Sequence, residues 1–172
     1  MNKKYSIISA AIVILIALDQ ITKHLFQNAL LITRTPFLQS KEIKVIDNFF
    51  QFRLSYNDGG AWGILSGNMI IFYIITIFAF GLFYLLIKDT DLKHKKFYTI
   101  AVTLLIAGAI GNFIDRLLFQ EVIDFIDFII FGYDFPIFNF ADIFLVVGVI
   151  MFGADVLLED ILNGKHKSNK GS

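Results

Sequence analysis

The sequence predicts an all-α membrane protein: four transmembrane helices carrying a small extracytoplasmic β-sheet and an interfacial helix. Three observations lead there. Hydrophobic residues make up 56% of the 172, and the mean hydropathy is +0.69. Four stretches can cross a bilayer, which takes about 18 or more mainly apolar residues. Nine lysines, those before the first stretch, between the second and third, and after the fourth, all fall on one side of a chain that crosses four times.

The first span, 5–26, is apolar or small to Leu18 and then carries Asp19 and Lys23. Lys3 and Lys4 ahead of it would also suit a signal peptide. No small-x-small cleavage site follows, and LDQITKHLF continues at helical period, so a retained helix is expected. In the outside segment 28–67, FQFRLSYN (Phe50–Asn57) alternates apolar and polar residues with the period of a strand. Glu42–Ile46 is its expected partner, and Pro36 and Asp58-Gly59-Gly60 mark turns. Trp62 follows the last turn, either as an interfacial anchor or as a substrate contact.

Spans 69–87 and 97–117 follow, uncharged over Met69–Ile87 and Phe97–Ile114. The second outside segment, 118–138, holds VIDFIDFIIF. At helical period Asp124 and Asp127 share one face and the other face is apolar, the pattern of a helix lying in the interface. Gly132 and Pro136 end it. Asp127 and Asp134 are expected to face solvent. Span 139–158 opens with Asn139 and Asp142. Residues 1–163 thus form a single membrane-embedded domain, and 164–172 a disordered cytoplasmic tail. Lys3, Lys4, Lys88, Lys93, Lys95, Lys96, Lys165, Lys167 and Lys170 place both termini in the cytoplasm by the positive-inside rule.

A net charge of zero argues against nucleic-acid binding. With no cysteine there is no disulfide, thiolate nucleophile or Cys-ligated metal. Three scattered histidines without HExxH make a zinc site unexpected, and no GxSxG elbow occurs. No cofactor or metal is expected.

Ionisable residues inside spans are functional candidates. Asp19 and Lys23 stand at i,i+4; Asn112, Asp115 and Arg116 at i, i+3, i+4; Asn139 and Asp142 at i, i+3. Each set has a structural account: a helix-end ion pair, a headgroup anchor, an N-terminal cap. Yet all three lie at the outer ends of their spans, near Asp124. Two acids meeting there would share a proton. The ionised one takes a proton from water while the other polarises a carbonyl, which is aspartic-protease chemistry. A small transporter or proton relay is the alternative, and it would want ionisable residues through the depth of the membrane. A non-enzymatic assembly subunit would not need two acids at the rim.

Five motifs occur in order: DQITK (Asp19–Lys23), NDGGAWG (Asn57–Gly63), AGAIGNFIDR (Ala107–Arg116), VIDF (Val122–Phe125) and FNFAD (Phe138–Asp142). Over essentially the whole chain this resembles the lipoprotein signal peptidase (signal peptidase II) family of bacterial membrane aspartic proteases. The resemblance implies Asp124 and Asp142 as catalytic residues. It implies supporting roles for Asp19, Lys23, Asn57, Gly59, Ala61, Asn112, Asp115, Arg116 and Asn139, with Trp62 a further candidate substrate contact. By its chemistry Arg116 suits a substrate carbonyl, Asp115 or a lipid phosphate. The implied substrates are prolipoproteins bearing a diacylglyceryl-cysteine, cut just before it at the extracytoplasmic face of the bacterial cytoplasmic membrane. A monomer among membrane lipid is expected. Ala107 and Ile143 depart from the family pattern, which is Gly and a small hydroxyl residue there.

Overall fold

The structure, a computed structural model, describes residues 3–33 and 39–168. Its long helices are α1 (Lys3–Leu30), α2 (Met69–Leu86), α3 (Lys96–Phe119) and α4 (Phe140–Ser168). The described residues include four helices long and apolar enough to cross a membrane. Lys23 near the end of α1 meets Asp115 near the end of α3, and Asp19 meets the start of α4. Helices α1 and α3 are therefore parallel and α4 runs against them. At the other end Lys4 donates to the Lys88 and Thr90 carbonyls, and Lys95 pairs with Glu159.

Helix α2 is apolar all round and buries only Phe83 among its residues, which suits a helix whose solvent is lipid. Helix α3 is its opposite: Ala101, Ala107, Gly108 and Gly111 are all buried. Small residues let α3 and α4 approach closely, as membrane helix pairs do. A Cβ on Gly108 would stand 2.5 Å from the Ala141 carbonyl oxygen, and one on Gly148 would stand 2.9 Å from Leu105. Ala107, one of the departures from the family pattern, is fully buried.

Across the bundle end lies an antiparallel sheet in the order β3 (Glu42–Ile46), β4 (Phe50–Asn57), β5 (Val122–Ile130), β6 (Tyr133–Asp134). A separate pair, β1 (Leu31–Thr33) with β2 (Gln39–Ser40), follows α1. The expected β3–β4 pairing is present. Leu30 of α1, Leu54 and Ile123 form the core beneath the sheet. Phe26 stacks on Phe125 with centroids 4.4 Å apart.

The interfacial helix expected over VIDFIDFIIF is instead the inner strand β5. Its β-branched and aromatic residues favour a pleated strand. It pairs with β4 on one side and with β6 and Phe138 on the other. Both faces of its first six residues are covered, so the period-2 alternation that reveals a half-buried strand is missing. In a strand, residues three apart point to opposite faces. Asp124 and Asp127 are accordingly separated, and Asp127 is fully buried rather than solvent-facing. Its partners come from β4: Gln51 Nε2 at 2.7 Å and Arg53 Nε at 2.8 Å, with Arg53 also gripping the exposed Asp134. Phe131 and Gly132, both at positive φ, form the two-residue turn between Ile130 and Tyr133. Helix α4 continues to Ser168, across the start of the expected disordered tail. Residues 169–172 and Pro36 lie outside the described residues.

Gly108→Ala should lower stability by about 1–3 kcal/mol, the usual cost of overpacking. Gly153→Ala, whose Cβ meets nothing within 4 Å, should leave the thermal midpoint in detergent unchanged. Equal midpoints for both variants would show that the α3–α4 seam has room for a methyl group at position 108.

Candidate active site

The site is built outward from Lys23, whose ammonium is fully buried. It has three hydrogens to donate, and it meets Asp19 Oδ2 at 2.9 Å, Asp115 Oδ2 at 2.9 Å and Asn112 Oδ1 at 3.1 Å. Because Lys23 only donates, Asn112 must turn its carbonyl toward it. The Asn112 NH2 then points the other way and donates to Asp142 Oδ1 at 2.7 Å. Asn112 Oδ1 also accepts from Asn139 Nδ2 at 3.1 Å, so the Asn139 amide is oriented in turn. That same Nδ2 donates to Asp124 Oδ1 at 2.6 Å.

Asn139 also caps α4. Its Oδ1 accepts the Asp142 backbone N–H at 3.0 Å, and Asp142 Oδ2 accepts the Asn139 N–H at 3.1 Å. This is a reciprocal capping box. The Ala141 N–H goes to Asp19 Oδ1 at 2.9 Å. The cap predicted for Asn139 and Asp142 is present, and it does not compete with a site: one residue, Asn139, holds both carboxylates in place.

Asp124 and Asp142 line one cavity of about 510 Å³. At its polar head Asn57 Nδ2 donates to Asp124 Oδ2 at 3.2 Å while Asn57 Oδ1 accepts the Gly59 N–H at 2.9 Å. Arg116 does not pair with Asp115, which belongs to Lys23. Instead its Nη2 donates to the Gly59 carbonyl at 3.1 Å, and its guanidinium lies 4.5 Å from the Phe72 ring centre. A Cβ on Gly59 would meet the Ile64 carbonyl at 3.0 Å, so any larger residue would press the loop outward. Ala61 opens the short 3-10 turn Ala61–Gly63. Trp62 is 66% exposed and donates from Nε1 to the Tyr133 hydroxyl at 2.9 Å, tying the loop to the β5–β6 hairpin. The remaining wall is apolar, with Ile143, Leu145 and Val146 on α4 and Phe138 before it. Ile143, the second departure from the family pattern, therefore faces the cavity.

Asp124 is 2% exposed. Burial first, and the neighbouring Asp142 charge second, push its carboxyl up to about 8 from 3.8. Asp124 therefore keeps its proton at neutral pH, at the head of a cavity that Asp142 also lines and beside an apolar trough. That suits hydrolysis of a bond held in a greasy chain.

Comparison with known proteins agrees. The family model described as "Signal peptidase (SPase) II" matches residues 11–158. The chain belongs to the signal peptidase II family. It is 44% identical over 173 residues to the "Lipoprotein signal peptidase" of Staphylococcus aureus strains JH9 and Newman, covering 99% of this chain and all of each relative. Two solved bacterial membrane enzyme structures superpose with TM-scores of 0.75 and 0.71, at 43% and 41% identity. The first covers 92% of this chain and 91% of its own, the second 88% and 93%. Signal peptidase II enzymes are aspartic proteases, and this one is a bacterial membrane enzyme.

Of the residues singled out from sequence, Asp19, Lys23, Asn112, Asp115, Asn139, Asp142, Asp124 and Asn57 form one connected hydrogen-bond network. Gly59 and Arg116 flank it, and Trp62 stands at the cavity edge. Sequence reasoning missed Gln20, whose Nε2 donates to Asp115 Oδ1 at 2.9 Å and to the Gly111 carbonyl at 3.2 Å. It also missed Tyr133. Gln20 sits inside DQITK, beside two flagged residues, and that position was its only signal.

Lys23→Met would leave Asp19 and Asp115 buried without their cation, at a cost of about 3–5 kcal/mol. Thermal unfolding in detergent should show this as a large drop in midpoint. A second expectation concerns pH. The folded protein keeps the Asp124 proton up to about pH 8, whereas an unfolded Asp releases it near 3.8. The folded state binds more protons in that window, so stability falls as pH rises through it. Asp124→Asn should therefore gain on the wild type as pH rises to about 8 and gain no further above; a constant difference would contradict the raised carboxyl.

Proposed function

We propose that Asp124 and Asp142 are the catalytic pair with which this enzyme removes signal peptides from prolipoproteins. The observation that carries it is Asn139, which binds both carboxylates at the head of an apolar cavity. In the reaction the ionised member takes a proton from water as the oxygen attacks the scissile carbonyl. The protonated member hydrogen-bonds that carbonyl, and a proton then passes to the leaving amine as the C–N bond breaks. One water is consumed, and the pair returns to its singly protonated state.

The cut falls before a diacylglyceryl-cysteine, whose acyl chains suit the apolar wall of Ile143, Leu145 and Val146. Arg116 and Trp62 contact the bound peptide. The enzyme works as a monomer, entered sideways from lipid. The positive-inside rule puts Lys3, Lys4, Lys88 and Lys95 in the cytoplasm and the site at the opposite face. The proton-relay alternative is not favoured: Asp19, Lys23, Asp115, Arg116 and Asp142 gather at the sheet end, Lys3, Lys4, Lys96 and Glu159 lie toward the opposite end, and α2 carries no charged residue.

Asp124→Asn and Asp142→Asn, each assayed on a diacylated prolipoprotein, should lose on the order of 10³-fold or more in rate while remaining folded. Retained cleavage in either would refute the pair. Because Asp124 holds its proton only to about 8, activity should fall as pH rises through that value. A rate that stays flat well above it would assign the proton elsewhere.

A further inference from the structure

A second cavity of about 270 Å³ reaches Asp124 from another direction. Its lining includes Ser55, Asp58 and Asp134, and it ends inward at Asn57 and Asp124. Ser55 is the β4 residue paired with Asp124 in the sheet. Asp58 and Asp134 are exposed, so this mouth is polar and opens to solvent. Asn57, Gly60, Trp62, Asp124, Pro136 and Ile137 line both cavities, so the two adjoin at Asp124, while Ser55, Asp58 and Asp134 line the second alone. The larger cavity runs instead along α4 to the exposed Val146 and Val147, a face suited to lipid.

The two mouths differ in what they can deliver. An acylated peptide seated in the larger cavity displaces water from it, and hydrocarbon beyond Val146 supplies none. Each cleavage nevertheless consumes one water at the carboxyl pair. We infer that this water enters through the polar cavity beside Ser55, Asp58 and Asp134, by a route separate from the substrate's. The inference rests on the hydrolytic reading above. It assigns Ser55, whose side chain hydrogen-bonds neither acid among the described contacts, to the wall of the water inlet.

The chain has no cysteine, so a single introduced thiol can be read without background. Ser55→Cys in nanodiscs should react with a charged, membrane-impermeant methanethiosulfonate, scored by the mass of the labelled chain. Reaction should proceed equally with a diacylated peptide bound whose scissile amide is replaced by a reduced bond. The bulky label should lower kcat about tenfold or more relative to the same Ser55→Cys enzyme left unlabelled, while KM is unchanged, the pattern of a loss confined to the step after binding. Val146→Cys should show the reverse: modification by a lipophilic maleimide, blocked by the bound peptide. Asp58→Cys serves in the same way should Ser55→Cys fail to fold. An unreactive thiol at 55, a labelled enzyme turning over at the unlabelled rate, or protection by the peptide would each overturn the inlet. Protection would instead place the mature chain of the substrate there. Labelling is scored without turnover, so these outcomes stand apart from the Asp→Asn test of the reaction itself.

Discussion

The buried ammonium of Lys23 is the contact on which the remainder depends. A fully buried cation is tolerated only when paired and hydrogen-bonded, and here each of its hydrogens has an oxygen: Asp19, Asp115 and Asn112. That joins α1 to α3 at the level where the sheet begins. It also fixes direction, since a group that only donates compels Asn112 to present its carbonyl. The amide orientation then passes to Asn139 and on to Asp124. Two carboxylates that would repel one another are thereby held by donors that cannot turn away.

Fold and site use the same hydrogen bonds. The first turn of α4 has N–H groups with no partner inside the helix, and Asp19 and Asn139 satisfy those of Ala141 and Asp142. The glycines of α3 serve the same junction. A Cβ on Gly111 would stand 2.7 Å from Asp19 Oδ2, so the close α3 backbone is what leaves room for the acid that caps α4.

Much of this was legible in the sequence, and the pattern of success has a physical reason. The spans showed because uninterrupted apolar runs have few other meanings, and the β3–β4 hairpin showed by its alternation. The polar residues at span ends were visible because charge there is expensive. What local pattern cannot carry is a partner distant in sequence. Strand β5 has the acid spacing of an amphipathic helix, but β4 and β6 cover its edges and claim it for the sheet. Asp127 has no basic residue nearby in the chain, and Arg53 reaches it across the sheet. Arg116 lies beside Asp115 in sequence and turns from it, because Lys23 already occupies that carboxylate.

The double duty of Asn139 bears on how the enzyme can change under selection. A drug-resistant lineage commonly escapes by altering a residue that a compound grips but the cell can spare. Here the side chain between the acids also begins a membrane helix, so a compound anchored on that amide would press on a position where escape and collapse coincide.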